Sequence, residues 1–196
     1  MEDFALTPPL IVALLGGYLV GSIPFGLVVT RAAGLGDIRK IGSGNIGATN
    51  VLRTGRKGLA ALVLVLDAGK GAIAALIAYA FALPEEARLA AILAGGAAVV
   101  GHNFPLWLKF KGGKGVATTL GTLTALTWLA VAALFRYSSL AALVALAAAP
   151  LYAHWLADPA LVYAAGLLAV LAWARHHQNI ARLLKGEETK IGQKKS

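Results

Sequence analysis

Residues 116–135 read VATTLGTLTALTWLAVAALF, a stretch with no charged side chain. It is long enough to cross a hydrocarbon core of roughly 30 Å, which takes about 20 helical residues. Whether it crosses once or folds back on itself decides on which side of a bilayer everything after it lies.

Further apolar runs flank this stretch on both sides. Residues 7–30, 59–83 and 89–108 precede it, and the shorter runs 140–156 and 159–174 follow. Pro84, Glu85 and Glu86 mark one turn between runs, and Asp158 with Pro159 marks another. The 196 residues are 58% hydrophobic and only 14% charged, with a mean hydropathy of +0.72. That is too apolar for an ordinary soluble domain, so a polytopic all-α membrane bundle is expected, as a single integral membrane domain over residues 1–196. The N-terminus has no basic n-region and no small-residue cleavage site, so its first apolar run reads as a retained span.

Charge orients the bundle. Of the 18 lysines and arginines, all but Lys70 and Arg88 fall in four polar groups: residues 31–57, residues 109–114, Arg136, and residues 175–195. Basic flanks stay cytoplasmic, so all four groups should share one face. The acids Glu2, Asp3, Glu85, Glu86 and Asp158 lie in segments placed at the other face. Six full crossings conflict with this, because they send Arg136 and the basic tail outside. The economical repair is for residues 116–135 to enter from the cytoplasm and return, as two half-length arms turning near Thr122–Thr127. Irregular backbone at that depth must be buried in protein. The alternative is one full crossing with a frustrated tail. The expectation is therefore about seven membrane helices or half-helices, one shortened pair at 116–135, the N-terminus outside and the C-terminus cytoplasmic.

Composition also excludes chemistry. With no cysteine, a thioester intermediate, a thiolate metal site and a disulfide are ruled out. No soluble aromatic-basic surface exists to bind nucleic acid. The net charge of +9 fits contact with anionic lipid.

Three polar stretches could hold a site. The first is GSGNIGATNVLRTG, residues 42–55. Gly42, Gly44 and Gly47 form a nominal GxGxxG with Asp67 beyond, but a dinucleotide site needs a preceding strand and a βαβ unit, and a membrane span precedes this one. What remains is a loop open to close backbone approach, with Ser43, Asn45 and Asn50 as polar partners and Arg53 as a fork-shaped anion ligand. The second is KFKGGKGVATT, residues 109–119. Glycine beside lysine makes backbone nests for phosphate, and a helix start adds free N–H groups. Positive-inside anchoring accounts for Lys111 and Lys114 but not for Gly112, Gly113 and Gly115. The spacing of a nucleotide-hydrolysing P-loop is absent. The third is RHHQNIARLLKGEE, residues 175–188. His176 and Asn179 are three apart and share a helix face, and histidine is a natural general base.

Asp67 and Lys70 lie one turn apart inside a span, where ionised groups are costly and usually paired. They should neutralise each other and brace the bundle from within, with a direct part in the site as the alternative. His102, followed by Asn103 and Phe104-Pro105, is placed to pin the loop after it. His154 beside Trp155 reads as an interfacial residue at the far face.

Taken in order, these motifs resemble the bacterial acyl-phosphate:glycerol-3-phosphate acyltransferases, the PlsY family. The resemblance runs through GSIPFG at 21–26, DIRKIGSGNIGATNVLR at 37–53, DAGKG at 67–71, GHNFP at 101–105, FKGGKGVAT at 110–118, RYSSL at 136–140, and the tail with Gly186 and Glu188. It implies transfer of a fatty acyl group from acyl phosphate to the 1-hydroxyl of sn-glycerol 3-phosphate. The products would be lysophosphatidic acid and phosphate, in the first acylation of phospholipid biosynthesis at the cytoplasmic face of the bacterial inner membrane. No cofactor, metal or obligate protein partner is implied.

On this resemblance Ser43, Asn45 and Arg53 in one loop, and Lys111, Gly112, Gly113, Lys114 and Gly115 in the other, would hold the two phosphates. Ser139 would add a phosphate contact, and His176 with Asn179 would orient the attacking hydroxyl. An acyl phosphate is already an activated anhydride, so no enzyme nucleophile is required. Two departures stand out. The segment between the glycine-lysine loop and RYSSL is shorter than the family's helix pair there, and a second expected serine appears as Ala142. The rival class is an anion or phospholipid transporter, which usually shows repeats and midplane polar residues on broken helices. Here no repeat is visible and the polar motifs collect at one face.

Overall fold

The computed structural model describes residues 6–42, 44–157 and 159–191. Glu2, Asp3, Ser43, Asp158 and Gln193 lie outside the described residues. Backbone contacts divide the chain into two compact units, residues 1–122 and 123–196.

The first unit opens with α1 (Pro8–Gly21) and α2 (Phe25–Ala32). Proline near the start of α1 is pre-organised for a helix. The run expected as one helix breaks at Ser22–Pro24, because Pro24 has no N–H and its ring would meet a carbonyl one turn back. Together α1 and α2 still make one span of membrane length, Pro8–Ala32. A short loop with a 3-10 turn at Ile38–Lys40 leads to α3 (Ala48–Leu52), then to the long α4 (Lys57–Phe81) and α5 (Ala87–Asn103).

Glycine sets how closely these helices pack. A Cβ on Gly17 or Gly21 would run into the backbone of Ala94 or Ala98, and one on Gly101 into the backbone of Tyr18 and Ser22. Small residues that let backbones touch are how helices associate where lipid removes the hydrophobic driving force. A second cluster, built from Leu27, Ile38, Ile46, Val51, Ala60 and Val63, fastens the loop before α4 to α2 and α4. That loop is therefore anchored by its own buried apolar residues.

α6 (Val116–Phe135) corrects the expected shortened pair: it is one continuous helix. Its threonines explain why no turn is needed. The Thr127 hydroxyl donates to the Leu123 carbonyl at 2.9 Å and meets the Tyr152 hydroxyl at 2.6 Å, and the Thr122 hydroxyl reaches the Gly95 carbonyl at 3.5 Å. Threonine can satisfy itself on the carbonyl a turn back, so polar residues at mid-stretch do not break a helix.

In the second unit α7 (Ser138–Leu156) and α8 (Pro159–Arg175) form a hairpin, with Trp173 Nε1 donating to the Leu143 carbonyl at 3.1 Å. α9 (His177–Lys185) ends at Gly186, whose positive φ of 74° closes the helix and turns the chain back. Among the described residues, five segments are long and apolar enough to cross a membrane, and α8 is a shorter apolar helix. Val12, Val65, Phe81, Leu134, Trp155 and Leu167 are among many large apolar side chains left exposed, as a lipid-facing surface requires.

Candidate active site

The first polar loop is organised by Asn50, which is almost completely buried. Its amide nitrogen lies 2.9 Å from the Ile38 carbonyl, 3.0 Å from that of Ile41 and 2.8 Å from that of Asn45. Two hydrogens serve three acceptors, so the amide draws the loop's carbonyls inward. Its Oδ1 accepts from Arg53 Nη1 at 3.2 Å, which lays an otherwise exposed guanidinium across the loop. Gly42, at φ 57°, leaves room for that side chain. Asn45 accepts from the Gly47 N–H at 3.1 Å, an Asx-type turn that fixes its own amide. Beneath the loop, a Cβ on Gly26 would collide with the Ile46 carbonyl, so the glycine of GSIPFG is the floor on which the loop rests.

Asp37 closes the loop's start. Hydrogen bonds from the Arg39 side chain, then from its backbone N–H, hold the Asp37 carboxyl well below the usual carboxylate range, with Arg31 adding a weaker attraction. Both partners are solvated, so the pair orders the turn more than it stabilises the protein.

The glycine-lysine loop lies against the end of α5. The Gly112 N–H donates to the Asn103 carbonyl and the Gly113 N–H to the His102 carbonyl, each at 3.0 Å. Those two donors, expected to face phosphate, are engaged by the protein itself. The groups left for an anion are the exposed Lys111 and Lys114 and the first-turn N–H groups of α6, which a helix cannot satisfy internally. Gly115 adopts φ 75°, turning the chain into that helix.

Asp67 and Lys70 are paired as expected, with Lys70 Nζ 2.9 Å from Asp67 Oδ1. The same ammonium donates to the Ile23 carbonyl at 2.9 Å and sits 5.6 Å from the centre of the Phe25 ring. One cation thus ties α4 to the break between α1 and α2.

The second unit gathers its polar groups around Glu188. Oε1 accepts from Ser139 at 2.7 Å and from Asn179 at 2.9 Å, while Oε2 accepts from Arg182 Nε at 2.6 Å. Burial pushes the Glu188 carboxyl up, but the bonds from Asn179, Ser139 and Arg182 together outweigh it and hold the group below its ordinary value. Ser139, expected at a phosphate, donates its hydroxyl hydrogen bond to Glu188. Asn179 gives an amide hydrogen to Glu188 and keeps its own oxygen as an acceptor.

His176 Nδ1 lies 2.7 Å from the Ala172 carbonyl. A carbonyl can only accept, so Nδ1 carries the hydrogen and the neutral ring keeps its lone pair on Nε2. Glu188 also borders an open cavity of about 520 Å³ lined by Arg136, Tyr137 and residues 186–190. Arg136 holds that turn in place, accepting from the Ile191 N–H at 2.6 Å and donating from Nη2 to its carbonyl at 3.0 Å.

Glu188 enters the sequence only as part of the tail motif, with no role of its own, yet it is the centre of this cluster. Its signal was present, since a glycine that ends a helix returns the next residues over that helix, and Glu188 follows Gly186 among cations. Ser43, expected here, lies outside the described residues. Among the described residues no three His, Cys, Asp or Glu side chains gather to hold a metal.

A family model described as glycerol-3-phosphate acyltransferase matches residues 11–186. The chain belongs to the glycerol-3-phosphate acyltransferase family. Within it, the glycerol-3-phosphate acyltransferase of Rhodospirillum rubrum is 67% identical over 100% of this chain and 98% of its own length. That of Paramagnetospirillum magneticum is 59% identical over 95% and 96%. The Rhodospirillum alignment extends over 212 residues against 196 here, so that family member carries residues with no counterpart in this chain. Among solved structures, the glycerol 3-phosphate form of PlsY (YgiH), an integral membrane glycerol 3-phosphate acyltransferase, is 38% identical, with a TM-score of 0.54 over 93% of this chain and 96% of that one. Its lysophosphatidic acid form gives 37% and 0.53, over 93% and 95%.

Proposed function

We propose that residues 1–196 form a single acyltransferase domain of a bacterial plasma membrane. It moves a fatty acyl group from acyl phosphate to the 1-hydroxyl of sn-glycerol 3-phosphate, at the cytoplasmic face. The observation that carries this reading is the 38% identity, over nearly the whole chain, to a protein solved in glycerol 3-phosphate and lysophosphatidic acid forms.

In this reading the hydroxyl oxygen attacks the acyl carbonyl, the bond from that carbon to the phosphate oxygen breaks, and phosphate leaves with the electron pair. His176 Nε2, left with its lone pair, takes the hydroxyl proton, and Asn179 Oδ1 orients the hydroxyl. Arg53, with Asn45 and Ser43, holds one phosphate. Lys111 and Lys114, set by Gly112, Gly113 and Gly115 at the start of α6, hold the other, that of glycerol 3-phosphate. Ser139 acts through Glu188. No covalent enzyme intermediate is needed.

The basic bias supports an outside N-terminus with the loops and tail in the cytoplasm. The continuity of α6 weighs the other way for the tail, since that helix is long enough to cross.

The test is purified protein given acyl phosphate and glycerol 3-phosphate. Lysophosphatidic acid and phosphate should form in equal amounts, and an acyl thioester in place of the acyl phosphate should give none. No product, or product from the thioester alone, would overturn the reading.

A further inference from the structure

We infer that His102 is a positioning residue for the glycine-lysine loop, held in place by the buried Asp67–Lys70 pair. The inference rests on the phosphate role proposed for that loop.

Three buried groups from two helices meet beneath the loop. Asp67, Lys70 and His102 are each less than 5% exposed. Asp67 Oδ1, already 2.9 Å from Lys70 Nζ, is also 3.5 Å from His102 Nδ1. That imidazole nitrogen is buried and has no hydrogen-bond partner of its own, so the carboxylate is the acceptor within reach. With the proton on Nδ1, the opposite edge of the ring, Nε2, faces the loop.

The loop is fitted to that edge. A Cβ on Gly113 would collide with His102 Nε2, and one on Gly112 with the His102 carbonyl. Only a chain without side chains at these two positions can lie on the imidazole. The backbone bonds from Gly112 to Asn103 and from Gly113 to His102 then fasten it there. The height of the ring sets the height of the loop, and with it where Lys114 and the first turn of α6 meet an anion. Lys70 sets a countercharge beside Asp67 in a span where a lone carboxylate is costly, and its bond to the Ile23 carbonyl fixes the pair to the neighbouring helices. Each group thereby has a function that simple bracing does not require. An imidazole oriented by a carboxylate and presenting its other edge to a working group is a known way of setting geometry.

The test is steady-state kinetics on the full-length protein, confined to variants whose thermal unfolding in detergent matches the wild type. His102→Ala should raise the KM for glycerol 3-phosphate on the order of 10- to 100-fold, as a displacement of about 1 Å in a binding group does, with kcat little changed. His102→Gln, which can still donate to Asp67, should recover part of that rise. Asp67→Asn with Lys70→Met removes both charges at similar volume and should raise KM without touching His102; this variant decides the matter if His102→Ala does not fold. Combining it with His102→Ala should add nothing further, because both act through one contact. An unchanged KM in His102→Ala, a loss confined to kcat, or effects that multiply in the combined variant would each overturn the inference. Lys114→Ala separates the two levels. If it too leaves KM unchanged, the phosphate role of the loop falls, whereas a raised KM there with none in His102→Ala removes His102 alone.

Discussion

Ser139 and Glu188 are 49 positions apart in sequence and 2.7 Å apart in space. That bond joins the first turn of α7 to the chain beyond α9, and Glu188 also holds Asn179 and Arg182. One carboxylate therefore ties Asn179 and Arg182 of the tail to the start of α7.

The Glu188 carboxyl ionises more readily in the folded protein than its ordinary value of 4.5 implies. The stability it contributes is complete above that ordinary value and is lost as pH falls through the lower folded value. Glu188→Gln should cost roughly 1–3 kcal/mol near neutrality, because a charged acceptor of three bonds is replaced by a group that must also donate. The gap between wild type and variant should narrow in acid, as read by thermal unfolding in detergent across pH. An equal gap at both extremes would mean that the charge is not what holds the cluster.

Gly26→Ala should destabilise the protein by about 1–3 kcal/mol, the usual cost of forcing atoms into a filled space, here against the Ile46 carbonyl. Because Ile46 carries the loop of Asn45 and Arg53, acyl transfer should fall with it. Gly16→Ala, on the same first span but with no neighbour within 4 Å, should change neither. Parallel melting and activity measurements on the two variants check the contrast.

His176→Ala should lower turnover by roughly 10²- to 10⁴-fold, the contribution of a positioned base, while the protein still folds. Asn179→Ala should cost less turnover if its oxygen only orients the hydroxyl. A near-wild-type rate for His176→Gln would leave histidine a hydrogen-bonding role and pass the proton to the donor's phosphate. Full activity in His176→Ala would remove it from the reaction.

The absence of native cysteine makes topology directly measurable. Cysteines at Thr54, at the exposed Lys111 and at Gln193 should react with a membrane-impermeant thiol reagent only after the membrane is opened, and one at Glu86 should react in intact cells. Outside labelling at Gln193 would show that α6 crosses the bilayer and carries the tail with it.

The apolar runs were legible because length and hydropathy are local properties, and each but the first returned as a single helix within a few residues. The Asp67–Lys70 pair was legible for the same reason, since a spacing of three fixes the contact. The turn expected in residues 116–135 failed because the basic-residue rule concerns which side a loop faces and says nothing about whether a helix is continuous. Thr122 and Thr127 looked like a break and instead found partners within helices. The interruption at Pro24 was visible in the residues, but hydropathy across it stayed high and hid it. In the site, Lys111, Lys114 and Arg53 could be picked out by charge. The engagement of the Gly112 and Gly113 donors spans only nine and eleven positions, but it depends on how the chain turns after α5, which charge does not report. Asn179 meets Glu188 across the turn that Gly186 makes, whereas Ser139 reaches the same carboxylate across 49 positions, and no local pattern encodes that meeting.

Asp67 and Lys70 also bear on how the protein is made. A lone carboxylate or ammonium at the centre of an inserting helix costs about 2.5–3.5 kcal/mol each. Both sit on α4, one turn apart, so they can leave the ribosome and enter the bilayer already paired, before α5 or α6 has been synthesised. His102 arrives later, to a pair that is already closed. A change that removes one member alone would act first at translocation, as a span that inserts poorly or at the wrong depth, and reduced protein in the membrane would precede any defect in the enzyme.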